Sequence, residues 1–288
     1  VGSRNMVVFR RVLCVLAVTL YAGAEADGRK RKRDRDHDRD HDHDRDRVHI
    51  VDGDVVSHGE YPSMTALMTP QPPFYTDIAW NGCGGSLISP SWVLTASHCS
   101  ATQLLIGATD VEGYASDDDY ELIAFAERRD MQDDYDDFTL DLALLRLSAP
   151  ATSQPVRLAA NSPPAGSTAI ALGWGTTENR TTSALLRKKE TPTVTDAECT
   201  QYGSVSLGQN SGGESTWLCA GPSASCAGDS GGPLLVDGVL MGVVSTGAPA
   251  VEGGSDCSKG EMFSVYHNVS WARAWIDSIV DDVTWTAV

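Results

Sequence analysis

Residues 226–236 read Cys226-Ala227-Gly228-Asp229-Ser230-Gly231-Gly232-Pro233-Leu234-Leu235-Val236. A serine hydroxyl is a weak nucleophile at its own pKa and needs both a base and a place for the charge that develops on the attacked oxygen. Here a serine sits among glycines on a tight turn that feeds an apolar segment of strand length. Glycine frees the backbone on either side, so the N–H groups of Gly228 and Ser230 can aim at one developing oxyanion. A bare Gly-Asp-Ser-Gly is often only a surface turn. Six residues in register, with a cysteine before them and a strand after, are far more specific.

The base then has to come from elsewhere in the chain. Of seven histidines, His37, His41, His43 and His49 lie in or beside a highly charged tract, and His58 and His267 lack supporting context. His98 ends an apolar run, Val93-Leu94-Thr95-Ala96-Ser97-His98-Cys99. A lone histidine there is more often a packed core residue, but the serine motif gives this one a use. Asp141 stands in Leu140-Asp141-Leu142-Ala143-Leu144-Leu145. A carboxylate among leucines is costly to bury without a hydrogen-bonded partner, and orienting His98 supplies one.

Outward from these motifs, short apolar runs alternate with Gly, Pro, Asn and Asp clusters. The runs Ser86–Ile88, Trp92–Thr95, Leu104–Ile106, Leu142–Leu147, Ala169–Leu172, Pro233–Val236 and Val239–Val244 are strand length. Many short strands with few helical periods predict an all-β sandwich or barrel. Trp271, Trp275, Ile276 and Ile279 at helical spacing predict a closing amphipathic helix over 270–280. The acidic stretch 117–137 reads as a pair of surface loops, either a plain solvated face or a calcium site.

Together the motifs resemble the chymotrypsin-like (trypsin-like) serine protease family, whose chain order is also His, Asp, Ser. The resemblance runs from Ile50 to about Val283. Ile50-Val51-Asp52-Gly53 is similar to the family's activated N-terminus. Cys83-Gly84-Gly85-Ser86-Leu87-Ile88, Gly173-Trp174-Gly175 and Ser245-Thr246-Gly247 are similar to further landmarks. The resemblance implies two packed antiparallel six-stranded Greek-key barrels with a C-terminal helix, the first about 50–152 and the second about 153–288. It implies a catalytic triad of His98, Asp141 and Ser230, and an oxyanion hole from Gly228 and Ser230. It also implies disulfides Cys83–Cys99, Cys199–Cys219 and Cys226–Cys257, and an activating pair of the Ile50 amine with Asp229. Its substrate pocket corresponds to Ala224, Ser225, Ser245, Gly247 and Ser264. With uncharged Ala224 at the floor, Gly247 leaving one wall open and Ser264 narrowing the other, cleavage is expected after apolar residues of medium to large size. Glu261 or Asp256 swinging inward would instead admit basic ones. Ser97 replaces the usual alanine, Thr246 the usual tryptophan, and His49 the usual basic residue before the activation bond. These departures leave a rival reading, a catalytically weak or inactive homologue that binds or inhibits a target.

Composition fits a secreted protein. The 288 residues carry a net charge of −17, which disfavours nucleic acid as the partner. The first 49 hold 12 of the 22 Lys and Arg but 9 of the 39 Asp and Glu, so the body is strongly acidic. Arg10 and Arg11, the apolar run Val12 to Ala22 and the small residues Ala22, Ala24 and Ala26 read as a signal peptide ending near residue 26, with residues 1–5 upstream of its start at Met6. That run is shorter than the roughly 20 residues a bilayer needs. Residues 27–49 include GRKRKRDRDHDRDHDHDRDR, which has no apolar side chain and reads as a disordered propeptide, its histidines either a loose metal site or part of a soluble spacer. With Cys14 in the leader, six cysteines remain, an even number suited to three disulfides. Asn179 and Asn268 stand in glycosylation sequons, occupied or plain surface asparagines. The expected partners are protein or peptide substrates, an activating protease and protein inhibitors, with a monomer acting outside the cell and no cofactor, metal or membrane.

Overall fold

The computed structural model describes residues 53–71, 78–113, 120–137, 139–202, 215–222 and 224–288. The leader and the charged tract expected over 1–49, together with Ile50, lie outside these residues. In chain order the strands are β1 (Asp54–Val55), β2 (Met64–Pro70), β3 (Ile78–Ser89), β4 (Trp92–Thr95), β5 (Gln103–Ile106), β6 (Glu121–Asp130), β7 (Ala143–Leu147) and β8 (Arg157–Ala159). They continue as β9 (Thr168–Gly173), β10 (Arg187–Val194), β11 (Trp217–Ala220), β12 (Pro233–Val236), β13 (Val239–Pro249), β14 (Met262–Asn268) and β15 (Trp285–Thr286). Short helices α1 (Met131–Tyr135), α2 (Asp196–Thr200) and α3 (Arg273–Asp277) punctuate them.

The strands close into two barrels, as the resemblance implies. The first runs β2-β3-β4-β7-β6-β5, every pairing antiparallel. The second runs β12-β9-β10-β11-β14-β13 and back to β12, again antiparallel. Closure removes the open edges that would otherwise recruit other chains. The first described strand, β1, pairs with β10 of the second barrel, Val55 opposite Arg187. β8 and β15 add parallel pairings beside β13.

The strand-length apolar runs appear where expected, because their side chains fill both faces. All four residues of Trp92–Thr95 are buried, as are all four of Pro233–Val236. One hydrophobic cluster includes Leu94, Leu104, Leu144 and Ile88 of the first barrel and Leu172, Trp174, Leu235 and Val243 near or in the second. The barrels therefore share a core.

Two expectations change. The acidic stretch is not a pair of loops. Residues 121–130 form a ten-residue strand whose burial alternates, with Ile123 and Phe125 packed on the core and Leu122, Ala124 and Ala126 outward. An antiparallel strand with one face on the core leaves the other face to solvent, and the charged residues here cluster at its ends, at Glu121 and over 127–130. The closing helix is shorter than 270–280, covering Arg273–Asp277 and burying Trp275 and Ile276. Among the described residues no helix is long and apolar enough to cross a membrane.

Candidate active site

β4 ends at Thr95 and delivers His98 into a loop, while Asp141 immediately precedes β7, the neighbour of β4. The two meet twice. The His98 backbone N–H donates to Asp141 Oδ1 at 3.0 Å, and His98 Nδ1 lies 2.8 Å from Oδ2. The Ser245 hydroxyl, from β13 in the other barrel, donates to the same Oδ2. Asp141 loses solvation, which pushes its carboxyl up, but the bonds from His98 and Ser245 outweigh this and hold it below its ordinary value. The Asp141 bond pushes the His98 imidazole above its ordinary value against partial burial. The arrangement fixes Nδ1 on the carboxylate and leaves Nε2 facing outward from the pair, with 45% of the His98 side chain exposed.

The serine turn is built from backbone bonds and positive φ. Gly228 and Gly231 adopt φ +97° and +76°, conformations a side chain would strain. A Cβ on Gly231 would also strike Thr95 Oγ1 and Gly84 O. The first barrel grips the turn directly, with Gly84 N–H donating to Ser230 C=O at 2.7 Å. Behind it Gly231 N–H donates to Val244 C=O and Gly232 N–H to Asp229 C=O. Among the described residues neither the Gly228 N–H nor the Ser230 N–H has an acceptor. Two such donors two residues apart, one of them the serine's own, can receive a developing oxyanion. Ser230 Oγ makes no hydrogen bond to His98 in this structure.

Residues 50–276 match the trypsin family model. The chain belongs to the trypsin family. It is similar to tonin of Rattus norvegicus, 32% identical over 224 residues, covering 69% of this chain and 81% of that protein. Trypsin of Squalus acanthias is 31% identical over 70% of this chain and 89% of its own. Trypsin 5G1 of Aedes aegypti is 34% identical over 68% and 74% respectively. At family level this is a serine endopeptidase fold stapled by the three disulfides Cys83–Cys99, Cys199–Cys219 and Cys226–Cys257. Cys83, His98 and Cys99 bring three metal-ligand atoms within 4.8 Å, but both sulfurs are engaged in a disulfide.

Next to Ser230 this trypsin-family chain has a cavity of about 170 Å³. Ser225, Ser245 and Gly247 line it, joined by Val244, Thr246, Met262 and Phe263. The expected floor residue Ala224 and the expected wall residue Ser264 are not among its lining. Ala224 is fully buried, and Ser264 is turned inward, its hydroxyl accepting from Ser225 N–H at 2.6 Å and reaching Ser225 C=O at 3.2 Å. Nor does Gly247 leave its wall open, because the Met262 methyl packs against it, 2.9 Å from where a Cβ would stand. Met262 was invisible in the sequence, since only the β13–β14 pairing, with Gly247 opposite Ser264, brings it over the glycine. Among the described residues no acid lines the cavity: Glu261 accepts from the Ser255 and Asp256 N–H groups, and Asp256 is tied to Arg180, Lys259 and Ser258. Those bonds, the Ser258 hydroxyl first, hold Asp256 down at about 2.

Asp229 is fully buried beneath the serine. Its oxygens accept from Gly175 N–H at 2.8 Å and Cys226 N–H at 2.9 Å. Gly173 and Gly175 are glycines because a Cβ on either would run into this carboxylate. Burial pushes Asp229 up to about 7 against those two bonds, and no cation among the described residues pairs with it. Of the two sequons, Asn179 is exposed, but Asn268 is not a surface asparagine. It is fully buried, its Nδ2 donating to Ser162 and Ser215 and its Oδ1 accepting from Ser270, so the fold leaves no room for a glycan there.

Proposed function

We propose that the chain is a secreted serine endopeptidase, made as a precursor, that cleaves after apolar residues. The observation that carries the reading is the doubly bonded His98–Asp141 pair, steadied by Ser245 across the barrel seam, beside a serine turn with two free N–H donors. In this mechanism Ser230 Oγ attacks the scissile carbonyl while His98 Nε2 takes its proton. Asp141 keeps the Nδ1–H tautomer and stabilises the imidazolium. The Gly228 and Ser230 N–H groups hold the oxyanion. His98 then protonates the leaving amine, and water, activated by the same imidazole, releases the acyl group.

The uncharged cavity supports an apolar preference, because seating an unpaired Arg or Lys there would cost several kcal/mol. Met262 over Gly247 favours aliphatic over large aromatic side chains. A peptide library decides this: a dominant Arg or Lys preference overturns the pocket argument.

Activation follows from Asp229. Cleavage between His49 and Ile50 would free an α-amine, and a buried carboxylate with no cation is the group such an amine would neutralise. The strand register supports the reach. Val55 lies opposite Arg187, and Arg187 opposite Gly173, which abuts Asp229. Two strand spacings are about 10 Å, and five residues span up to about 17 Å. Labelling with a fluorophosphonate before and after proteolysis tests the whole reading. Labelling at Ser230 only in a species beginning at Ile50 is the expected result. An active species beginning at or before Arg47 refutes this route, and no labelling in any form favours the inactive binding homologue.

A further inference from the structure

Resting on that reading of His98 as the base, one charged group outside the triad acts on it. Arg128 lies on β6, the strand that sequence reading took for loop. Its guanidinium forks onto Asp130, Nε to Oδ2 at 2.7 Å and Nη2 to Oδ1 at 2.6 Å. The remaining donors reach the two residues that flank His98: Nη2 donates to Ser97 C=O at 2.6 Å and Nη1 to Cys99 C=O at 2.7 Å. The pair is largely sheltered, with 24% of the Arg128 side chain and 14% of that of Asp130 exposed. From the other side the Ser97 hydroxyl donates to Leu142 C=O at 2.6 Å, one residue past Asp141. The same carbonyl receives Met131 N–H, just beyond Asp130.

Peptide planarity turns these bonds into a constraint on the base. The Ser97 carbonyl and the His98 N–H belong to one rigid trans peptide and point in opposite directions. Drawing the Ser97 oxygen toward Arg128 therefore aims the His98 N–H at Asp141 Oδ1, the bond the structure records. Holding the Cys99 carbonyl fixes the next peptide but one, so the backbone can rotate little on either side of the histidine. Only a planar guanidinium can grip a carboxylate bidentately and still present donors to two carbonyls.

We propose that Arg128, locked by Asp130 and assisted by Ser97, is a positioning residue that sets the orientation of the His98 imidazole. Arg128→Met is expected to lower kcat about 10- to 100-fold, the effect of misplacing a reacting group without losing it, with KM nearly unchanged. Rates are normalised to fluorophosphonate-titrated sites, so a merely destabilised protein does not mimic the effect. Arg128→Lys, which keeps charge but loses the fork, should fall between, and Ser97→Ala should show a smaller loss in the same direction. The second readout is the downfield Nδ1 proton resonance of His98, measured by NMR in a Ser230→Ala background. It should move or broaden in Arg128→Met and recover partly in Arg128→Lys. A titrated Arg128→Met enzyme with unchanged kcat and an unchanged resonance overturns the proposal. Should Arg128→Met not fold, Arg128→Lys and Ser97→Ala carry the same comparison, and wild-type values in both overturn it. An unmutated chain that neither labels nor turns over sinks the protease reading instead, and the resonance then still decides whether Arg128 orients His98.

Discussion

The two sides of the cleft reach their working geometry by different means. On the histidine side every charge has its partner within the described chain: His98 with Asp141, Asp141 with Ser245, Arg128 with Asp130. On the serine side a fully buried carboxylate, Asp229, has among the described residues two backbone N–H groups as its partners. The first is complete as folded. The second holds a group whose ionised form costs several kcal/mol until a cation arrives. Under the proposed activation, control falls on the half left electrostatically unfinished, which can be switched without rebuilding the half that is done.

The sharpest way to break the comparison is to cut each side in turn. Ser230→Ala or His98→Ala should each lower kcat about 10⁶-fold, and the double variant should lose little more, because the residues act as a unit. Near-normal peptidase activity in either single variant would end the assignment. Asp141→Asn should cost about 10⁴-fold by favouring the wrong imidazole tautomer. A pH–rate profile checks the same bond: with His98 raised by Asp141, kcat/KM in the wild-type enzyme should climb through an apparent pKa above 6.5. A profile peaking near pH 4 contradicts a histidine base.

The unfinished side has its own signature in stability. Folding raises Asp229 from 3.8 to about 7, so between these values the folded chain binds more protons than the unfolded chain. This group's contribution is therefore most favourable at low pH and is lost as pH rises toward 7. Asp229→Asn should remove that dependence from the precursor's thermal midpoint and abolish the gain in activity on cleavage. A precursor whose midpoint responds to pH identically with and without Asp229 would show that the carboxylate already has its cation. The smallest effect belongs to the pocket. Met262→Ala should shift kcat/KM toward large aromatic side chains by about tenfold, the scale of discrimination in an apolar pocket. Unchanged library profiles would mean that the methionine does not shape the wall.

How much of this was legible in the sequence depends on whether a residue's neighbours are local. Strands filled on both faces, such as Trp92–Thr95, announce themselves as apolar runs. β6 did not, because its short apolar run Leu122–Ala126 lies between acidic residues and a charged tail, Glu127-Arg128-Arg129-Asp130, so the stretch reads by its charge, although that run was the available signal. The glycines around Ser230 were readable because positive φ and close approach leave no alternative. The surroundings of Ala224 and Ser264 were not legible, because sequence position does not tell which way a side chain is turned. Ser264 satisfies Ser225 rather than facing the cavity. Asn268 illustrates the same gap, since a sequon is three residues long and burial is decided by partners 53 and 106 positions away. Arg128 escaped notice for this reason too, its carbonyl acceptors lying 29 and 31 residues back.

The short bond from Gly84 N–H to the Ser230 carbonyl, with Ser245 reaching Asp141 the other way, stitches the site across the seam between barrels. A chain that has folded only one barrel has a nucleophile without its grip or a base without its brace. The geometry of the site is thus a readout of complete folding: it exists only where both barrels have closed against each other.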